Sequence, residues 1–368
     1  MRPPHVGRRT GLVSGALGVL AAGAAVGLAA ERYAVGRSRT RPDPVAGELQ
    51  DVREADEAAA RSRVVVADDG VPLHVEEAGA PDAPVTLVFC HGFTNDMTVW
   101  HFQRRDLGDV GRLVFWDQRS HGRSGRSSDD NSTIDQLGRD LLMVLDELVP
   151  DGPVVLVGHS MGGMTVLALA DHRPDLFGSR VVGVALLSTS TGKFASITFG
   201  LPAVVGRVTR RVLPFAARGV RRSPALVERG RRAGTDLEFL LTRRYSFGSK
   251  DVSPALVEMV EKTTAATPVE VIAAFYPTFV DHDKLAALDV LRSVPTVVLV
   301  GDSDLITPPD HSRAIAEALP DAELVELPAA GHMVMLEQAA MVNLHLRALV
   351  RRATRGRGTP PAAQRGQA

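Results

Sequence analysis

The chain has 368 residues, 45% of them apolar, a formal net charge of −1 and a single cysteine. That length and apolar share can fill the core of one large catalytic unit, while the lone Cys90 excludes an intramolecular disulfide and any cysteine-based metal cluster. The near-zero total hides a segregation: residues 1–41 carry seven Arg and one Glu, 207–232 nine Arg and one Glu, and 351–368 five Arg and no acid. The remaining body is strongly acidic and has no nucleic-acid footprint, whereas the three basic segments suit an anionic membrane surface.

Taken in order, the chain opens with Gly11–Ala30, an uncharged stretch between Arg8-Arg9 and Glu31-Arg32. Its length suits one membrane crossing, and Gly11/Gly15 and Gly23/Gly27 have the small-residue spacing that lets membrane helices approach. A cleaved secretory signal is the rival reading. Residues 1–41 are therefore expected to act as an anchor or signal segment, giving membrane association, with secretion after cleavage or a cytoplasmic location as alternatives. Residues 42–62 read as a linker. Strand-like runs follow at Val64–Val66, Leu73–Glu76, Val85–Cys90 and Arg112–Trp116, and Asp69-Gly70 marks a hairpin. Thr133-Ile-Asp-Gln136 is a capping box opening an amphipathic helix through Leu148.

Next comes Val154–Val157, then Gly158-His159-Ser160-Met161-Gly162-Gly163, then an apolar helix to His172. A strand that turns directly into a helix brings backbones close and strains the serine between them. The glycines two residues before and after Ser160 fit that crowding. Another strand runs over Val181–Leu187. From 189 to 291 strand signals fade into helix-like pieces separated by prolines, which predicts a helical cap above the sheet edge. Strands resume at Thr296–Val300 and Leu324–Leu327, a final helix is expected over Val334–Val350, and the tail 351–368 is too poor in apolar residues to fold. Strands alternating with helices mean an α/β fold, its mostly parallel sheet covered on both faces. The core is expected over 63–188 and 292–350.

A serine nucleophile needs a base in hydrogen-bond reach and a carboxylate to orient that base. After Ser160, the strand ending at Val300 runs into Gly301-Asp302-Ser303-Asp304. Asp304, further into the loop, is the expected acid, and Asp302 is expected to brace the loop. His332, after Gly331 between the last strand and the last helix, is the expected base. The oxyanion needs two backbone N–H donors, assigned to Met161 at the elbow and Phe93 in the loop after Val85–Cys90. His91 is read as a loop brace, and Cys90 as a buried, inert thiol.

With these residues in view, the chain from about Arg63 to Val350 resembles the α/β-hydrolase superfamily. The matching pieces are His91-Gly92-Phe93, Asp117-Gln-Arg119-Ser-His-Gly122-Arg-Ser124, Gly158-His-Ser160-Met-Gly162-Gly163, Gly301-Asp-Ser-Asp304 and Gly331-His332. The resemblance is to esterase, lipase and peroxidase-like members with a helical cap. It implies an α/β-hydrolase fold, no metal and no organic cofactor. The mechanism it implies runs through an acyl-enzyme; it is nearly silent on substrate, and the leading expectation is cleavage of a carboxylic ester, lipid-like or small and hydrophobic. Acyl transfer or perhydrolysis with the same triad is the alternative, and a non-catalytic binding protein the third reading. A serine nucleophile sets the chain apart from members of this fold that use Asp, the haloalkane dehalogenases and epoxide hydrolases. One departure is Ser120, where the family usually has Gly, and a shifted loop is expected there. Substrate identity and oligomeric state are not readable.

Overall fold

The computed structural model describes residues 61–192 and 235–355, with a few positions between 43 and 49. The chain divides into two units, Met1–Pro44 and Val45–Ala368, and the architecture below belongs to the second. The anchor or signal segment, most of the linker, the Arg-rich stretch 207–232 and the tail beyond Arg355 lie outside the described residues. Among the described residues no helix is long and apolar enough to cross a membrane.

Eight strands form one sheet: β1 (Arg61–Val66), β2 (Pro72–Gly79), β3 (Thr86–Cys90), β4 (Arg112–Trp116), β5 (Val154–His159), β6 (Val181–Leu187), β7 (Thr296–Gly301) and β8 (Glu323–Leu327). Their order across the sheet is β1-β2-β4-β3-β5-β6-β7-β8. The β1–β2 and β2–β4 pairs are antiparallel and the rest parallel. The hairpin at Asp69-Gly70 is present, with Gly70 at φ +85°. β3 through β7 read as nearly continuous runs of Val, Leu, Phe and Ala because both of their faces are covered. The edge strand β1 is mostly exposed, with Val64 and Val66 in solvent.

On one face, Val88, Val114, Leu156, Val184 and Val298 pack against helices α2 (Ile134–Leu148) and α3 (Met161–His172) and against Leu291 and Ile315. Alternate residues point the other way, where Phe89 stacks on Phe115 and tilts against Trp100. That second face carries α1 (His101–Asp106), which no sequence signal announced, and the C-terminal helix. Thr133 caps α2 by accepting from Gln136 N–H at 3.1 Å, as its capping box predicts. The reciprocal half of that box does not form, because the Gln136 side chain donates to Asp68 at 2.7 Å and accepts from Arg139.

Between β6 and β7 the described chain is helical: α4 (Thr235–Ser246), α5 (Pro254–Ala266), α6 (Val269–Asp281) and the short α7 (Leu288–Leu291). It rests on the core through Asn95 Nδ2 donating to Thr263 Oγ1 at 3.3 Å and Ile134 N–H donating to Thr278 Oγ1 at 3.0 Å. After β7 comes α8 (Pro309–Ala318). The helix expected over Val334–Val350 is two pieces, α9 (Val334–Glu337) and α10 (Ala339–Thr354), broken at Gln338. At that break the side chains of Glu337 and Gln338 turn back to bond the preceding loops. α10 also runs past the expected boundary at Val350. Ala353 is buried against the sheet, and Arg352 pairs with Glu323, so 351–354 are folded.

β3 is flanked by β4 on one side and β5 on the other, so the chain reverses its direction of travel across the sheet there. The carboxyl ends of strands beside such a reversal form a natural crevice for a ligand. The loops after β3, β5, β7 and β8 carry the residues singled out from sequence.

Candidate active site

β5 passes into α3 through Ser160 alone, and Ser160 has φ +52° and ψ −119°. A left-handed φ on a serine costs on the order of 1–3 kcal/mol and persists only where packing enforces it. Here it does. A Cβ on Gly158 would sit 2.5 Å from Gly162 O, and one on Gly162 would overlap the Cys90 carbonyl. Ser160 N–H donates to Leu187 O at 2.9 Å, which ties the turn to β6. α3 is buried almost throughout, so the turn cannot relax by moving the helix.

The loop after β3 lies directly against this turn: a Cβ on Gly92 would be 3.3 Å from Ser160 Cβ. His91 braces it, as expected. His91 Nε2 accepts Gln118 N–H at 2.9 Å, so the proton is on Nδ1, which donates to Gly92 O at 2.7 Å. Burial holds this imidazole below its ordinary pKa. Gln118 closes a small network, donating to His91 O at 2.6 Å and accepting from Thr165 Oγ1 of α3 at 2.6 Å. Among the described residues the N–H groups of Phe93 and Met161 donate to no protein acceptor, so both are free to receive an oxyanion. The Phe93 ring meets Phe279 of α6 edge-on at 4.9 Å.

Asp304 lies at the end of β7 with its carboxylate fully engaged. Oδ1 accepts the N–H groups of Ile306 and Thr307 at 2.8 and 2.9 Å. Oδ2 accepts Thr307 Oγ1–H at 2.9 Å and His332 Nδ1–H at 2.9 Å. The proton on Nδ1 leaves His332 Nε2 as the acceptor. Asp302 is exposed, and its side chain accepts the hydroxyl of its neighbour Ser303 at 2.8 Å. His332 in turn is held by His159, whose Nε2–H donates to His332 O at 3.0 Å; the two rings lie 4.7 Å apart. Burial pushes His159 well below its ordinary pKa. Among the described residues no hydrogen bond joins His332 Nε2 to Ser160 Oγ. Bonds of this kind commonly tighten only when substrate is present.

The loop after β4 forms the floor. Asp117 accepts Met97 N–H at 2.9 Å and Arg123 N–H at 2.8 Å. Arg119 is fully buried and uses all five donors, on Asp140, Asp69 and Ser127. The Arg119 guanidinium on Asp69 pulls that carboxyl down to about 2. Ser120 takes φ +66°, a conformation glycine adopts freely. Its N–H donates to Gly125 O at 2.8 Å and its Oγ accepts Ser127 N–H at 2.9 Å, local bonds that hold a strained serine. His121 Nδ1 donates to Arg119 O, and burial pushes this side chain down to about 3. Cys90 is buried, accepts Trp116 Nε1–H at 3.4 Å, and has its thiol pushed up to about 12 by burial, so it is inert.

Sequence reasoning therefore placed Ser160, Asp304, His332, Phe93 and Met161 at neighbouring strand ends, and missed His159, Gln118, Thr307 and Glu337. His159 and Gln118 carried a signal inside the Gly158–Gly162 and Asp117–Ser124 pieces and Thr307 lies three residues after Asp304, whereas nothing local marks Glu337. Among the described residues one group has a geometry that could hold a metal ion, Asp135, Asp171 and His172. Lys284 Nζ already bonds both of its carboxylates, at 2.7 and 2.6 Å.

The chain matches the family described as alpha/beta hydrolase fold over residues 85–339. A dihydrolipoyllysine-residue acetyltransferase component of the acetoin cleaving system of Pseudomonas putida is 29% identical over 276 residues, 75% of this chain and 65% of that protein. The match thus spans just under two thirds of that relative's length. The sn-1-specific diacylglycerol lipase ABHD11 of Mus musculus is 28% identical over 253 residues, 67% of this chain and 75% of that protein. Among solved structures, a thermophilic esterase from Thermogutta terrifontis superposes with TM-score 0.61 at 26% identity, covering 80% of this chain and 99% of that one. The chain belongs to the α/β-hydrolase superfamily, as an esterase- and lipase-like member.

Proposed function

We propose that the protein is a serine hydrolase that cleaves a carboxylic ester through an acyl-enzyme. The observation that carries this reading is Ser160 itself, held at φ +52° on the turn between β5 and α3 directly after His159, which bonds the carbonyl of a histidine already paired to Asp304. His332 Nε2 takes the Ser160 proton as Oγ attacks the ester carbonyl. Asp304 keeps the imidazole in the tautomer that accepts this proton and stabilises the imidazolium. The carbonyl oxygen becomes an oxyanion received by the N–H groups of Phe93 and Met161, the latter at the first turn of α3 where the helix dipole adds to the field. The leaving alcohol takes the proton from His332, and a water repeats the sequence to release the acid. The esterase structure and the lipase relative support a hydrophobic ester as substrate. The same acyl-enzyme would pass its acyl group to an alcohol or peroxide, and product analysis with competing acceptors distinguishes these fates.

The test is covalent labelling. A fluorophosphonate should label the wild-type protein and leave Ser160→Ala unlabelled, with ester hydrolysis falling by about 10⁶. Equal labelling of both proteins would refute the assignment. We propose in addition that Gly11–Ala30 tethers the enzyme to a membrane, as its length and uncharged composition suggest. Flotation of the full chain with vesicles, lost when residues 1–41 are removed, is the expected result; equal flotation of both would remove the tether.

A further inference from the structure

The loop that carries His332 is held by a side chain of α9 on one side of the histidine and by the segment leaving α4 on the other. Before the histidine, Gly331 N–H donates to Glu337 Oε2 at 2.6 Å. After it, Met333 N–H donates at 2.9 Å to the carbonyl of Ser246, the last residue of α4. The same Glu337 carboxylate accepts Gly248 N–H at 3.0 Å and Ser249 N–H at 2.9 Å. Three backbone donors from two segments far apart in sequence thus converge on one half-buried carboxylate. Between those segments backbone rests on backbone. A Cβ on Gly248 would lie 2.5 Å from the carbonyl carbon of Ala330, and one on Gly331 would lie 2.5 Å from Gly248 N. On the far side His159 holds the His332 carbonyl, and Ser303 N–H donates to Ala330 O at 3.0 Å.

We propose that Glu337 is a positioning residue that locks the His332 loop to the segment Ser246–Ser249 of the cap, so that cap and base move as one body. The inference rests on the reading of His332 as the general base. A carboxylate accepting N–H groups makes stronger bonds than a neutral acceptor, and no water-mediated substitute spans three donors at once. Glutamine at this position would keep one acceptor and turn its own N–H₂ toward a donor, which leaves at least one backbone N–H unsatisfied. The loop would then be free to shift relative to Ser160. An ångström of misplacement is enough to slow a step that depends on alignment. Because the lock ends on the cap, a ligand that displaces Ser246–Ser249 would change turnover without touching the triad.

The experiment uses the full chain with Glu337→Gln, a short-chain p-nitrophenyl ester, and hydrogen exchange resolved on peptides covering 244–252 and 328–334. We expect kcat to fall about 10-fold or more with KM within about threefold of wild type, and both peptides to exchange faster together. Gly248→Ala approaches the lock from the cap side and should give the same kcat loss and the same paired exchange, which keeps the test in force if Glu337→Gln fails to fold. Wild-type kcat in either folded variant, or faster exchange confined to one peptide, overturns the proposal. If wild-type protein neither labels with a fluorophosphonate nor cleaves esters, the hydrolase reading fails, and the paired exchange alone then decides whether the lock exists.

Discussion

The two halves of the candidate site are built by different physics. The serine half is held by sterics: Ser160 sits in a left-handed conformation because Gly158 and Gly162 let backbone touch backbone, and α3 beneath it is buried. Its supporting side chains are neutral, with His91 and Gln118 bonding main chain to main chain. The histidine half is held by carboxylates on longer loops. Asp304 accepts four hydrogen bonds and Glu337 gathers donors from three residues, two of them in the cap. Close-packed backbone gives a rigid nucleophile with no tolerance for added volume. Carboxylate anchors give a base whose position depends on charge and on the cap, which is the half where regulation by ligand or substrate bulk can enter.

The largest effect expected within this contrast lies in the histidine half. Asp304→Asn removes the acceptor that fixes the His332 tautomer and should cost up to ~10⁴ in kcat with the fold intact. Asp302→Asn, on the exposed neighbour, should stay within about threefold of wild type. A reversed ranking in matched kinetics would show that the orienting carboxylate had been misassigned.

The floor under the serine half is one place where charge does structural duty. Arg119 is fully buried with Asp140 equally buried beside it. Arg119→Met strands that carboxylate and should destabilise the fold by roughly 3–5 kcal/mol, read as a drop in the urea midpoint. A loss under about 1 kcal/mol would mean that the floor tolerates an unpaired Asp140 and is not part of what holds the serine turn.

The smallest effect is a pH slope. His91, His121 and His159 are buried on the serine side, and burial depresses all three, His121 to about 3. An unfolded histidine gains a proton near 6.5, whereas these stay neutral when folded, so the unfolded state binds more protons below that pH. Stability is therefore complete above about pH 6.5 and falls as the pH drops below it, for His121 down to about 3, by up to about 1.4 kcal/mol per pH unit for each histidine still neutral in the folded state. Urea unfolding at pH 7, 6 and 5 should show this slope, flattened in His121→Gln by one histidine's share. Parallel slopes in the two proteins would show that His121 is not held neutral.

How far the sequence could be read follows the same divide. Gly158, Ser160 and Gly162 were legible because steric crowding at a strand–helix turn is a local rule, written in residues two apart. Asp304 and His332 were legible only as positions after strands, and the choice of Asp304 over Asp302 rested on depth in the loop, which the 2.9 Å bond to His332 supports. Thr307 bonds Asp304 three residues earlier, a local turn that the motif reading passed over, whereas Glu337 was invisible because its partners are chosen by the fold. Nothing in Glu337's neighbourhood announces Gly248 and Ser249, some ninety residues earlier. The apolar spacing of the final helix persists through Gln338 and so predicts one continuous helix. The break there serves hydrogen bonds to other loops, which no periodicity records.

The sequence by itself determined the alternation of strands and helices, the serine turn, the triad candidates and the place of the helical insertion. Each of these depends on neighbours along the chain, through apolar period, capping chemistry or glycine where a Cβ cannot fit. The tertiary structure decided which loops meet. It put His159 behind the His332 carbonyl and fastened the histidine loop to the cap through Glu337. Those contacts join segments far apart in sequence, and only the packing of the whole sheet and its helices brings such segments within hydrogen-bond reach.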